Sequence, residues 1–255
     1  MRRILKRLKK KTQEVIVWLH IGVAAFSRYR GARVGEKCLV KIKAHHIFVR
    51  KGTPDLRVAA SCLLFGEFRF LRSHLPATFD GVIVDAGGYI GTSALALSDL
   101  FPNAQIITVE PALENLEILS LNVLSNEKIR VIRGALVGSG AGSITLKDRG
   151  TGEWGYTVVQ NPHDNPDSAN LHETPTYRLQ DLGVNCEDIG LLKLDIEGGE
   201  LDLFVQDSDS LGQIKVIVAE LHDRIAPGCS EAFENLADDR FVAKVGSDKK
   251  LSVRG

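Results

Sequence analysis

Residues 82–97 read VIVDAGGYIGTSALAL. A short apolar run ends in glycines and passes into a stretch of helical composition, which reads as strand, tight turn and helix. This unit opens a doubly wound α/β sheet, in which ligands sit beyond the carboxyl ends of the strands. Gly87 and Gly88 let the backbone turn sharply, and Gly91 lets the helix approach the strand. Residues 86–91, AGGYIG, depart from G-x-G-x-x-G only at the first position.

The pattern repeats outward from this unit. QIITVEP (105–111) is a second strand, and Ala112 to Leu124 a helix with Leu113, Leu116, Leu119 and Val123 on one face. KIRVIRGALVG (128–138) is a third strand and SITLKD (143–148) a candidate fourth. Ile189 to Ile196 is a buried strand leading to a short helix, QIKVIVAELH (213–222) is the next strand, and Ser230 to Ala237 is helical. RFVAKVG and KLSVR, joined through Ser247-Asp248, form a closing hairpin. Continuously apolar strands separated by helices predict a mainly parallel sheet covered on both faces. Upstream, residues 34–49 read as a strand or hairpin, 50–55 as a turn, and 55–75 as one helix. Residues 149–175 form the longest irregular stretch and are expected to be a substrate-side loop, with disorder as the alternative.

The acids at the strand ends carry the chemistry. Asp85 closes the first strand, where a dinucleotide would set its pyrophosphate against the turn and the helix N-terminus. A carboxylate there repels that anion and attracts the ammonium and sulfonium of S-adenosylmethionine. Glu110 closes the second strand, the usual place for an acid that grips ribose hydroxyls. Pro111 starts the following helix. The candidate cofactor contacts are Asp85, Gly87, Gly88, Tyr89, Gly91, Glu110, Pro111, Ala135 and Asp195. Asp195, Glu197 and Glu200 follow one strand, and Glu220, His222 and Asp223 follow the next. His222 is the expected general base, with Glu220 or Glu197 orienting it or the acceptor, and Asp195 beside them. Glu200 is expected only to suit a helix's first turn. The same acids and His222 could instead hold a divalent cation.

The net charge of zero hides an asymmetry. Residues 1–51 hold 15 Lys/Arg and two acids, and the remainder holds 17 Lys/Arg and 30 acids. Seven basic residues fall in the first eleven positions, followed by Val15 to Phe26, apolar except for His20. That run is short of the roughly 20 residues that span a bilayer. Residues 1–26 therefore read as a helix on an anionic membrane surface, a self-association element or a helix packed on the body. Nucleic acid is disfavoured, because no RNA-binding motif accompanies the basic segment. The cysteines Cys38, Cys62, Cys186 and Cys229 form no C-x-x-C pair and read as reduced thiols of a cytoplasmic protein.

VIVDAGGYIGTSALAL, the VEP after the second strand, LKLDIEGGE (192–200) and AELH (219–222) together resemble the FkbM-type methyltransferases. That pattern, K-x-D-x-E-G-x-E, is met by Lys193, Asp195, Glu197, Gly198 and Glu200. Residues 49–68 also resemble the family's upstream strand, turn and helix. The resemblance implies a Rossmann-like class I sheet of seven strands and S-adenosylmethionine contacts from Asp85, Gly87, Gly91 and Glu110. It also implies that Asp195 lies near the transferred methyl, and that the acceptor is a hydroxyl of a sugar, glycan or related natural product. The domain reading is a basic helix over 1–33, a strand and helix segment over 34–79 and the cofactor-binding domain over 80–255. The expected location is the cytoplasm, at the inner membrane face. The competing readings are an NAD-dependent oxidoreductase, which Asp85 opposes, and a non-catalytic binding module.

Overall fold

The computed structural model describes residues 13, 15–140, 142–150, 153, 155–159, 169–236, 239–245 and 249–255. The chain divides into two compact units, 1–69 and 70–255.

In the first unit, residues 15–21 are helical, and Gly22 separates them from α1 (Val23–Gly31). The strands β1 (Lys37–Ile42) and β2 (His45–Arg50) form an antiparallel hairpin. Trp18 packs on Phe26 and Tyr29, and His20 Nε2 accepts the Lys43 backbone N–H at 2.9 Å. Val17 and Ile21 are buried, whereas Val15, Ile16, Leu19 and Val23 are exposed. The basic cluster of the first eleven positions lies outside the described residues. Among the described residues, no helix is long and apolar enough to cross a membrane.

The turn after β2 is held by a buried ion pair. Arg50 Nε and Nη2 lie 2.9 and 3.0 Å from Asp55 Oδ2 and Oδ1, and the Arg50 backbone N–H also donates to Oδ2. Asp55 opens α2 (Asp55–Ala59). The single helix expected over 55–75 is interrupted: α2 widens into a π-helix over Ala60–Leu64, Gly66 turns left-handed (φ 69°), and a 3-10 turn spans Arg69–Ser73. A left-handed glycine ends a helix whatever the apolar spacing beyond it. That spacing is still obeyed before the break, with Leu56, Ala59, Ala60 and Leu63 buried.

The second unit carries the sheet. Its elements run β3 (Val82–Ala86), α3 (Thr92–Leu100), β4 (Gln105–Glu110), α4 (Leu113–Val123), β5 (Ile129–Arg133), β6 (Ala135–Leu136), β7 (Gly142–Asp148) and β8 (Ala169–Tyr177). They continue through β9 (Ile189–Leu194), α5 (Glu200–Gln206), α6 (Ser208–Gln213), β10 (Val216–Glu220), α7 (Cys229–Glu234), β11 (Arg240–Val245) and β12 (Lys249–Arg254). Seven strands pair in the order β11-β12-β10-β9-β3-β4-β5. The five from β10 to β5 are parallel, and β12 and β11 close the edge antiparallel. This is the doubly wound α/β sheet that the alternation of strands and helices implies. The chain winds to β4 and β5 on one side of β3 and to β9 and β10 on the other. The crevice between β3 and β9 is therefore the switch point, where ligands bind in such sheets. One face buries Val84, Leu192, Leu194, Ile217 and Ala219 against Leu203, Phe204, Leu211 and Phe233.

Four expectations need correction. The third strand divides at Gly134 (φ 156°): β5 stays in the main sheet, while β6 joins β8 and β7 in a separate three-stranded sheet. SITLKD, the candidate fourth strand, therefore lies outside the main sheet. Part of the irregular stretch 149–175 is the strand β8, which pairs with β7, and residues 160–168 lie outside the described residues. In α4 the buried stripe is Asn115, Ile118, Leu119, Asn122 and Val123, and Leu113 is exposed. The helix is turned so that two asparagines face inward, because each has a carbonyl or carboxylate to bond there. The helix expected to end at Ala237 is seen as α7, and both Ala237 and the Ser247-Asp248 join lie outside the described residues.

Removing one partner of a buried ion pair leaves the other charge uncompensated, at a cost of about 3–5 kcal/mol. Asp55→Ala is expected to destabilise the first unit by that amount, read as a lower urea midpoint by circular dichroism.

Candidate active site

The site is built on one buried ion pair. Asp85, on β3, is fully buried, and its Oδ1 lies 3.1 Å from Lys193 Nζ on the neighbouring strand β9. Oδ2 accepts hydrogen bonds from Ser93 Oγ at 2.6 Å and Thr108 Oγ1 at 3.3 Å. The ammonium spends its other donors on the carbonyls of Ala86 (3.2 Å) and Gly87 (2.7 Å). Burial pulls the Lys193 ammonium down, but Asp85 and Asp195 outweigh it and hold the group above its ordinary range. Asp85 is thus neutralised from within. The sequence argument that its bare charge repels a pyrophosphate and attracts a sulfonium is corrected: a carboxylate with a buried ammonium beside it presents little net field.

The turn itself is fixed by close approach. Gly87 has φ 80°, and a Cβ there would lie 1.9 Å from the Asp195 carbonyl oxygen. The Gly87 and Gly88 N–H groups both donate to Val109 O. Gly91 starts α3 at φ 82° with Val123 against its open side, and Asn122 Nδ2 donates to Ile90 O at 2.8 Å. Tyr89 is held at φ 50°, its N–H donating to Glu110 Oε2 at 2.8 Å. Glu110 Oε1 accepts from Ala112 N–H (3.0 Å) and Asn115 Nδ2 (3.2 Å). Burial pushes the Glu110 carboxyl up to about 7 against these bonds. Pro111 follows, its carbonyl 3.1 Å from His172 Nε2 of β8. Ala135 lies apart in β6, buried and paired with Thr176.

The ends of β9 and β10 bring the remaining candidates together around His222. Its imidazole is 3% exposed. Nδ1 donates to Glu200 Oε1 at 3.0 Å, while Nε2 faces Glu197 Oε1 at 3.5 Å and Asp195 Oδ1 and Glu220 Oε1 at 3.9 Å each. The orienting acid is therefore Glu200, not Glu220 or Glu197 as expected. Glu200 is fully buried at the start of α5, and it also accepts the N–H groups of Ile196 (2.9 Å) and Gly198 (2.8 Å). It fixes the loop that carries Asp195 and Glu197 as well as the ring. Glu220 Oε2 is taken by Lys249 Nζ at 2.9 Å, and Glu197 Oε2 by Arg224 Nη2 at 3.2 Å. Asp223 turns away, accepting from the Ser230 N–H at 3.0 Å.

These contacts set the charges. Burial pushes Glu197 up to about 7, partly offset by His222. Burial works against a charged His222 ring, but the bond to Glu200 and the fields of Glu200, Glu197 and Asp195 push it up to about 9. These neighbours favour the protonated ring more than water does.

A strap crosses this edge. Asn115 Nδ2 donates to Glu153 O at 2.9 Å, Thr157 pairs with Lys147, and Thr157 Oγ1 donates to Glu197 O at 2.6 Å. The described part of the 149–175 stretch thus runs over the strand ends. The sequence reading missed Ser93, Thr108, Asn115, Asn122 and Thr157. The asparagines alone gave a signal, as polar residues at helical spacing with buried leucines.

A family model described as the methyltransferase FkbM domain matches residues 85–241, from the acid of β3 to the second residue of β11. Similar solved structures include a methyltransferase FkbM from Methylobacillus flagellatus, at 15% identity and TM-score 0.47, over 68% of this chain and 43% of that one. A precorrin-6y C5,15-methyltransferase from Geobacter metallireducens is 14% identical, with TM-score 0.43 over 86% and 95% of the two chains. A methyltransferase from Geobacter sulfurreducens is 13% identical, with TM-score 0.39 over 72% and 74%. The chain thus spans less than half the length of the first of these. No curated protein matches it.

Lys193→Met leaves Asp85 buried and alone, and should cost about 3–5 kcal/mol. Combining it with Asp85→Asn should recover a large part of that loss. A double-mutant cycle in urea checks this, and additive losses would mean that the two groups are not coupled.

Proposed function

The chain belongs to the FkbM methyltransferase domain family, and on that premise we propose that it transfers the methyl group of S-adenosylmethionine to a hydroxyl of a sugar, glycan or related natural product. The observation that carries this reading is the meeting of two unlike halves on one sheet edge. β3 and β4 end in a glycine turn tied to Glu110; β9 and β10 end in Asp195, Glu197, Glu220 and His222.

The residues present fit the cofactor. Glu110 keeps acceptor capacity on Oε2, which receives only the Tyr89 N–H among the bonds described above. Burial pushes this carboxyl up to about 7, and ribose hydroxyls would favour its ionised form. Gly87, Gly88, Tyr89, Gly91 and Pro111 lie in or beside the same turn, while Ala135 lies apart in β6. When bound, S-adenosylmethionine supplies an electrophilic methyl group on a positively charged sulfur. Asp195, at the end of β9 beside that turn, favours such a charge.

A hydroxyl that attacks a methyl group must lose its proton. Glu197, held near 7 and partly exposed, suits that task near neutral pH. Its φ of 49° marks a strained backbone that the Thr157 hydroxyl and the Glu200 bonds hold in place. His222, whose Nε2 lies 3.5 Å from Glu197 Oε1, helps to align that carboxylate with the acceptor. Alignment of this kind contributes on the order of 7–11 kcal/mol in favourable cases. The strap that carries Glu153 and Thr157 would cover the acceptor side. Family membership, and not the charge of Asp85, now weighs against the NAD-dependent reading, while the binding-module reading predicts no cofactor affinity at all.

We also infer contact with an anionic membrane face through residues 1–26, supported by the exposed Val15, Ile16, Leu19 and Val23 beside a strongly basic segment. Self-association through the same apolar residues is the alternative. Both keep the acceptor a small molecule or glycan and leave nucleic acid out.

Calorimetry with S-adenosylmethionine and NAD tests the main reading: only the first should bind, and NAD binding alone would defeat it. Ribose hydroxyls favour the ionised Glu110, so binding should release a proton and strengthen as pH rises through about 7, then level off. Glu110→Gln should abolish that rise and weaken binding at least tenfold. Deleting residues 1–26 should abolish sedimentation with anionic vesicles; retained sedimentation would assign membrane contact elsewhere.

A further inference from the structure

Among the buried polar atoms that have no hydrogen-bond partner among the described residues, His222 Nε2 has a conspicuous set of neighbours. It is shut off from solvent and points into a group of three carboxylate oxygens. A buried polar atom left unsatisfied is costly. Ligand atoms from Asp195, Glu220 and His222 all lie within 4.8 Å of one another.

We propose that Asp195, Glu220 and His222 hold a divalent cation of the Mg²⁺ or Mn²⁺ type between the ends of β9 and β10. Ligands about 2.1 Å from such an ion sit about 3.0 Å apart when adjacent and about 4.2 Å when opposite. The His222 Nε2 separations of 3.9 Å from Asp195 and Glu220 need only a small contraction. Both carboxylates are about one third exposed (32%) and have room to turn.

The supporting groups match those of a metal site. A ligating histidine characteristically donates its other N–H to a carboxylate, which fixes its tautomer and orientation. Glu200 does this for His222 from full burial, while holding the Asp195 loop by two further N–H bonds. Lys249 does the equivalent for Glu220 by occupying Oε2 and leaving Oε1 toward the cluster. Two carboxylates and one imidazole leave about three positions of an octahedral ion for water or acceptor oxygens, and an oxygen-rich set suits Mg²⁺ or Mn²⁺. A hydroxyl bound there would be more acidic, with Glu197 beside it to take the proton. This last role rests on the proposed methyl transfer; the binding of the cation does not.

Mn²⁺ titration of the full chain without S-adenosylmethionine, followed by electron paramagnetic resonance, tests the site. The expected result is one bound Mn²⁺ with nitrogen coupling in the pulsed spectrum, displaceable by Mg²⁺. Glu220→Gln and Asp195→Asn should each weaken it at least tenfold, Glu200→Gln about 10–100-fold, and Glu234→Gln, on an exposed acid elsewhere, not at all. Mn²⁺ that stays free, binds without nitrogen coupling, or binds equally in the Glu220 and Asp195 variants would overturn the proposal, as would binding of Zn²⁺ alone. Circular dichroism of the variants separates lost ligation from lost fold. A chain that binds Mn²⁺ but not S-adenosylmethionine keeps the cation site and loses the methyl-transfer reading.

Discussion

The fold and the site depend on one constraint: Asp85 and Lys193 are both taken out of water at the point where the sheet changes direction. A buried ion pair is weak evidence for stability, because the desolvation of two charges can exceed their attraction. Its value here is positional. Lys193 has three donors and uses them on Asp85 and on the carbonyls of Ala86 and Gly87. Those bonds clamp the end of β3, and the first residue of the turn, to β9. Gly87 then approaches the Asp195 backbone so closely that no side chain can stand there. The glycine is required by what the lysine and the neighbouring strand do.

From that clamp the edge divides into two halves held by buried carboxylates used in the same way. Glu110 gathers the N–H groups of Tyr89 and Ala112, and Glu200 gathers those of Ile196 and Gly198. Each acid closes a loop that would otherwise leave backbone donors unpaired. Each loop also holds a non-glycine residue in the left-handed region, Tyr89 in one and Glu197 in the other. Such residues persist only where their surroundings over-determine them. Here the surroundings are those two carboxylates, so the strain and its restraint are neighbours in both halves.

The alternation of strands and helices, the glycine turn and the acids that follow the strands were legible because they depend on composition and period. What remained hidden depends on which lone pair meets which proton. β9 is buried along its whole length, so no alternation distinguishes the lysine from its apolar neighbours. Lys193 could be matched to a pattern but not paired with Asp85 across 108 residues of chain (193 − 85). Glu200 reads as an ordinary first-turn acid until the imidazole of His222 is set against it. Asn115 and Asn122 rotate α4 away from its apolar expectation because bonds to Glu110, Glu153 and Ile90 replace apolar contact. Apolar spacing cannot register that exchange.

The electrostatics of the β9–β10 half also limit what can bind there. Asp195, Glu197, Glu200 and Glu220 converge on one ring, with Arg224 and Lys249 answering from the rim. The bond to Glu200 and the nearby acids favour the protonated ring and push His222 up to about 9. Any positive group that enters, a sulfonium or a metal ion, relieves the same repulsion and competes with that proton. An acceptor bearing phosphate or carboxylate would worsen it. A neutral, hydroxyl-rich group would suit this edge, because hydroxyls donate to carboxylates without adding negative charge. The sugar acceptor proposed above would meet that requirement through the groups that also make it a nucleophile.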